Sequence, residues 1–176
     1  MSMAGTPLNL QVLNTLAAVL LLLSFSMLAQ RRIVTLVNLL ATQGAVLFLA
    51  TLLLARQTGE GHLYLSAGLT LALKVIALPW LLHRLIRRLD VYWDTEPMIN
   101  APSTMLIGLL VVIFAFGLAQ PISALASTTT RSTLGIAIAV ILLSFLTMIT
   151  RRKAMSQVVG FLSMENGLFF GAMSAT

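Results

Sequence analysis

Apolar residues in this chain neither alternate nor recur at helical spacing. They run together in continuous blocks separated by short polar or basic stretches. A block of about 20 residues coils into a helix that crosses ~30 Å of hydrocarbon. Six such blocks are expected, over residues 8–29, 33–55, 62–82, 103–125, 133–150 and 154–176. Arg31-Arg32 closes the first. The loop 56–61 separates the second from the third, with Gly59 and Gly61 to end a helix and permit a turn. His83, Arg84, Arg87 and Arg88 close the third. The longest polar stretch, 85–102, holds Asp90, Asp94, Glu96, two prolines, and the aromatics Tyr92 and Trp93, which suit the headgroup layer. The Ser/Thr-rich segment 127–132 is expected to turn the chain, and Arg151-Arg152-Lys153 closes the fifth block. Continuous blocks exclude a β-barrel, whose strands alternate. The expected fold is all-α: a polytopic membrane helical bundle of about six transmembrane helices in a single domain.

Composition agrees with this reading. The chain has 176 residues, 59% of them hydrophobic and 9% charged, where a soluble domain carries roughly 25% charged residues. There is no cysteine, so disulfides and thiolate-held metals are excluded. The net charge of +6 does not mark a nucleic-acid surface, because the basic residues flank apolar blocks instead of forming a patch. No basic region precedes Leu8 and the first block is too long for a cleavable signal. Alternating spans put Arg31, Arg32, Arg84, Arg87, Arg88, Arg151, Arg152 and Lys153 on one side, and only Arg56 and Arg131 on the other. That bias makes the first side cytoplasmic and the N-terminus external, in a multi-pass protein of the bacterial inner (plasma) membrane.

An internal repeat is visible. Leu22-Leu23-Ser24-Phe25 recurs as Leu142-Leu143-Ser144-Phe145, and the same offset carries Arg31-Arg32 onto Arg151-Arg152. With three extra residues, Ala41-Thr42-Gln43-Gly44 meets Met164-Glu165-Asn166-Gly167. Leu-rich segments also align by chance, but the arginine pair at the same offset favours duplication. The two copies point the same way, as in parallel transporter repeats. The expected division is 1–102 for the first copy, 103–132 for a linking helix and loop, and 133–176 for a second, incomplete copy. Its third span would lie beyond Thr176, so either the chain is naturally short or the sequence stops early.

Two ionisable residues fall at mid-block: Lys74 in the third and Glu165 in the sixth. A charge at the bilayer centre costs roughly 2.5–3.5 kcal/mol on insertion scales, so such residues are expected to face the bundle interior and find a partner or lose their charge. A group so poised can take and pass a proton. His62, Ser66, Thr70 and Lys74 are spaced four apart and form one stripe on a helix. Pro79 lacks the N–H that would bond to Val75, so a bend near Lys74 is expected. Thr35, Asn38 and Thr42 form a similar stripe on the second span, with Gln43 beside it; Ser156, Gln157 and Ser163 lead toward Glu165 and Asn166 on the sixth. These read as pieces of a hydrated proton path. Other readings stand beside it: Lys74 and Glu165 as a static ion pair, the hydroxyls as bonds within their own helices, and Ser163, Gly167 and Gly171 as a close helix contact. No nucleophile–base pair, phosphate loop or metal-ligand cluster is visible, so no catalysis is expected of this chain alone.

The run from Arg151-Arg152-Lys153 through Ser163-Met164-Glu165-Asn166-Gly167-Leu168-Phe169-Phe170 resembles component E of membrane-bound hydrogenases of the hydrogenase-4 and formate hydrogenlyase type. That component is similar to the K subunit of respiratory complex I and to the C subunit of multisubunit cation/proton antiporters. The resemblance covers essentially the whole chain, and the Glu165 segment is its most specific piece. It implies a three-span unit with one buried glutamate in each of its last two helices. Glu165 matches the first; Thr42 or Gln43 holds that place in the first copy, and Lys74 lies where the second would be. It further implies partner subunits: antiporter-like subunits in the membrane, and a peripheral arm with nickel–iron and iron–sulfur centres, none of them bound here. The expected function is that of a non-catalytic membrane subunit in a redox-driven proton or sodium pump. The alternatives are a scaffold that holds antiporter-like subunits together and an antiporter subunit.

Overall fold

The structure is a computed structural model and describes residues 8–59, 61–90, 99–123 and 128–175. Six helices carry these residues: α1 Leu8–Ala29, α2 Ile33–Thr58, α3 Gly61–Leu89, α4 Ala101–Ser123, α5 Thr128–Thr150 and α6 Ala154–Ala175. The fold is an all-α membrane bundle, and five of the helices are long and apolar enough to cross a membrane. The sixth, α6, has 22 residues, as many as α1, but carries Ser156, Gln157, Ser163, Glu165 and Asn166.

Two helix limits differ most from expectation. α3 runs on to Leu89, through the basic residues expected to close it. Leu82 and Ile86 are buried against Met27, Ile33, Leu36 and Leu40, while Arg84, Arg87 and Arg88 point outward. An amphipathic ending therefore prolongs the helix past the apolar block. It stops at Asp90, in the left-handed region at φ 53°, with its N–H on the Ile86 carbonyl. Arg84 lies over the Trp80 ring, 5.3 Å from its centroid. At the other difference, α5 is already helical from Thr128, inside the expected turn; hydroxyl side chains weaken a helix without forbidding it. Asp94, Glu96, Tyr92 and Trp93 lie outside the described residues.

The hairpins α1–α2 and α5–α6 form the centre of the bundle. α3 lies along α2, and α4 lies along α5 and α1. One core cluster joins Ala17, Leu20, Leu47, Ala50, Val140 and Phe170. The other gathers at the end where the basic residues lie and includes Val159 and Ile86. Both hairpin turns meet there through Arg151. It is buried, and its guanidinium donates to the carbonyls of Met27 and Leu28, each at 3.2 Å, and to that of Gln30. The last carbonyls of α1 have no partner within their helix, and Arg151 reaches two of them, Met27 and Leu28, together with that of Gln30 just beyond.

Burial repeats along the chain. Ala17, Leu20, Ser24 and Met27 of α1 are buried, as are Ala137, Val140, Ser144 and Thr147 at an offset of 120. Leu36, Leu40, Gln43, Gly44 and Leu47 of α2 are buried, as are Val159, Ser163, Asn166, Gly167 and Phe170 at an offset of 123.

Candidate intramembrane charge site

The middle of α3 is not an α-helix. Leu71–Ala77 forms a π-helix, seven residues long with Lys74 at its centre, and the N–H of Leu78 bonds to the carbonyl of Leu73. Pro79 supplies the cause: it has no N–H to offer Val75, and its ring crowds that carbonyl. A wider turn relieves both, so the proline acts through a π segment where a bend was expected. His83 Nδ1 then lies 2.7 Å from the Pro79 carbonyl.

The widened segment rests on Gly44 of α2. A Cβ added there would sit 3.2 Å from both the Cβ and the carbonyl oxygen of Lys74. This close approach lets the Lys74 side chain reach across to α6. Its Nζ lies 3.1 Å from Glu165 Oε1, donates to Asn166 Oδ1 at 3.0 Å, and stands 5.3 Å from the Phe169 ring centroid. The cation thus has a carboxylate, an amide oxygen and an aromatic face around it. Lys74 is 14% exposed. Glu165 is 50% exposed, contrary to the expected interior position. Its helix presents Phe161, Glu165 and Leu168 outward, and Asn166, one position on, inward. At 100° per residue, α6 cannot bury both.

Behind Lys74 a row of hydrogen bonds crosses three helices. Asn166 Nδ2 donates to Gln43 Oε1 at 3.4 Å, Gln43 Nε2 to Ser24 Oγ at 2.7 Å, and Ser24 Oγ to the Leu20 carbonyl at 2.9 Å. Every donor points away from Lys74. The row therefore presents an acceptor to the cation and ends on backbone.

The expected path residues divide into those the fold brings together and those it does not. Gln43 and Asn166 join the row. Thr70 is buried above Lys74, but its hydroxyl donates to the Ser66 carbonyl at 2.9 Å within its own helix. Ser66 is half-buried and His62 exposed at the start of α3. Asn38 and Thr42 are exposed; Thr42 donates to the Asn38 carbonyl at 2.9 Å. Thr42 lies about 200° around α2 from Gly44 and so turns away from Lys74. Gln157 is spent on the Arg151 carbonyl at 3.0 Å. Ser163 accepts from Ser144 at 2.9 Å, while Gly167 and Gly171 lie against α5; a Cβ on Gly167 would meet Val140 at 2.9 Å.

Sequence reading missed Ser24 and Phe169 as partners, and the burial of Arg151. Ser24 carried a signal, as the polar member of the repeated Leu-Leu-Ser-Phe run. Arg151 carried none that separates it from its solvent-facing neighbours.

Among known proteins, the chain is 33% identical over 162 residues to Rv0085, an uncharacterised protein of Mycobacterium tuberculosis. The match covers 91% of this chain and 74% of that protein. No protein-family profile matches the chain, and no solved structure does.

Proposed function

The chain belongs to the same family as Rv0085 of Mycobacterium tuberculosis, and from that footing we propose that it is a non-catalytic membrane subunit of a complex I-like, redox-driven proton or sodium pump of the hydrogenase type. It sits in the bacterial inner membrane with its basic end in the cytoplasm, as the positive-inside bias favours. The resemblance at 151–170 supports the hydrogenase setting. On this reading, nickel–iron and iron–sulfur centres reside on partner subunits, and antiporter-like subunits flank the bundle.

One observation carries the mechanistic part: a lysine and a glutamate 3.1 Å apart at mid-helix, with the carboxylate half open to the outside of the bundle. Moving a proton from Nζ to Oε1 turns an ammonium–carboxylate pair into an amine and an acid, and the net charge stays zero. The step thus avoids leaving one unpaired charge in hydrocarbon. Glu165 then passes the proton from its exposed side to an ionisable group of a neighbouring subunit, which also covers the carboxylate from lipid. Asn166, Gln43 and Ser24 hold Lys74 in place. They do not conduct, since amides exchange protons poorly and the row stops at a carbonyl. His62, Ser66 and Thr70 mark the face of α3 along which Lys74 is recharged.

A second reading is favoured by the same closed ion pair, which ties α3 to α6: the subunit is a scaffold. Proton pumping and complex assembly, measured on Glu165→Gln, Lys74→Met and the double variant, separate the two. The relay reading expects assembled complexes that fail to pump in all three. If the single variants fail to assemble and the double variant both assembles and pumps, the pair is structural only.

A further inference from the structure

The outer faces of the bundle differ in chemistry. Between Thr104 and Gln120, α4 carries only apolar residues and glycine, and Leu106, Leu110, Ile113 and Phe114 stand exposed. Such a face suits lipid, whereas the outer face of α6 displays Glu165. α4 meets α1 at Gly108, where an added Cβ would lie 2.6 Å from Leu28 Cδ1 and 3.2 Å from Phe25 Cε2. Further along, the Phe116 ring packs on Gly135 of α5. Beyond Gly108 α1 and α4 part. They leave an open apolar groove of about 360 Å³, walled by Leu21, Leu22 and Phe25 on one side and Leu109, Val112 and Phe116 on the other.

From Gly108 to Phe116 is roughly 12 Å along the helix. A partner's transmembrane helix needs an uninterrupted face across ~30 Å. A groove bounded along α4 by Leu109 and Phe116 is far shorter than that and fits a hydrocarbon chain instead. At the basic end of the same seam, a small cleft between α1 and α4 is lined by Gln30, Arg31, Thr104 and the buried Arg151. Arg31 is exposed there, and its guanidinium can fork onto a phosphate.

We infer that the α1–α4 seam binds an anionic phospholipid, its phosphate on Arg31 and one acyl chain in the groove. The arginine selects the headgroup, and the groove selects a lipid over a soluble anion. This site is independent of Lys74 and Glu165 and lies on a different outer face.

The test is native mass spectrometry of the purified full chain titrated with phosphatidylglycerol or phosphatidylcholine. Wild type is expected to retain phosphatidylglycerol preferentially. Arg31→Gln lowers that affinity about fivefold, the effect of one basic residue near an anionic surface, and removes the preference. Val112→Trp fills the groove and weakens binding of both lipids; Leu22→Trp, on the opposite wall, serves where Val112→Trp does not fold. Leu110→Trp, on α4 but outside the groove, behaves as wild type. Equal retention of the two lipids by wild type overturns the site, as does undiminished phosphatidylglycerol binding in Arg31→Gln and a folded groove-filling variant. A protein helix seated in the groove of an assembled complex also overturns it.

Discussion

Arg151 and Lys74 are both cations inside a bundle, yet neutral and charged partners divide them. Arg151 meets three backbone carbonyls at the end of α1, a fixed acceptor set matched by a planar guanidinium. Lys74 meets a carboxylate and an amide oxygen, one of which can change charge. The first arrangement is fixed in charge, whereas in the proposed relay the second exchanges a proton. Arg151→Ala leaves the α1 carbonyls without their charged donor and is expected to cost about 1.5–3 kcal/mol. Thermal unfolding in detergent checks this, with Arg87→Ala, an outward-facing residue of α3, expected to change stability by less than about 0.5 kcal/mol. Arg151→Lys is expected to recover only part of the loss, because a single ammonium cannot reproduce the guanidinium fork.

At the scale of the helix, the π segment and Gly44 act together. The segment exists because of Pro79, and it fits against α2 because Gly44 has no side chain. Gly44→Val forces the two helices apart, since its Cβ alone would lie 3.2 Å from Lys74 backbone and side-chain atoms. The expected cost is about 1–3 kcal/mol, the usual penalty for overpacking. Gly68, six residues before Lys74 on the same helix, has nothing within 4 Å of an added Cβ. Gly68→Ala is therefore expected to be neutral or to stabilise α3 by up to about 1 kcal/mol. Comparing the two variants in a thermal or denaturant unfolding series separates close packing from helix propensity; equal effects would show that α3 does not press on α2 at Gly44.

Across the whole molecule, the basic residues at the ends of α1, α3 and α5 and the starts of α2 and α6 gather at one end. Arg56 lies at the other end of α2. The absence of cysteine from the chain makes the sidedness directly measurable. Single cysteines at Arg87 and Lys153 are expected to react with an impermeant thiol reagent only from the cytoplasmic face, and one at Arg56 only from the outside. Labelling of all three from the same face would contradict the threading. The two exposed sides also differ: α4 is apolar throughout its middle, and α6 carries a carboxylate. This asymmetry separates a lipid side from a partner side in the proposed assembly.

The sequence by itself determined the class of fold, because blocks of apolar residues long enough to span hydrocarbon leave few alternatives to helices, and the flanking arginines order their ends. It also singled out Lys74 and Glu165, since a charge amid such a block stands out in one dimension. It overextended the polar stripes: spacing of four places Asn38 and Thr42 on one helical face but does not say which neighbour that face meets, and here it meets none of the site. Only the tertiary structure decided that Lys74 faces Glu165 across two helices. Which of Asn166 and Glu165 turns inward depends on the rotation of α6 against α5, set by Gly167 and Ser163. The lysine's reach depends on the π turn and on the missing side chain of Gly44. Those are distances between elements, and periodicity along a single chain carries no information about them.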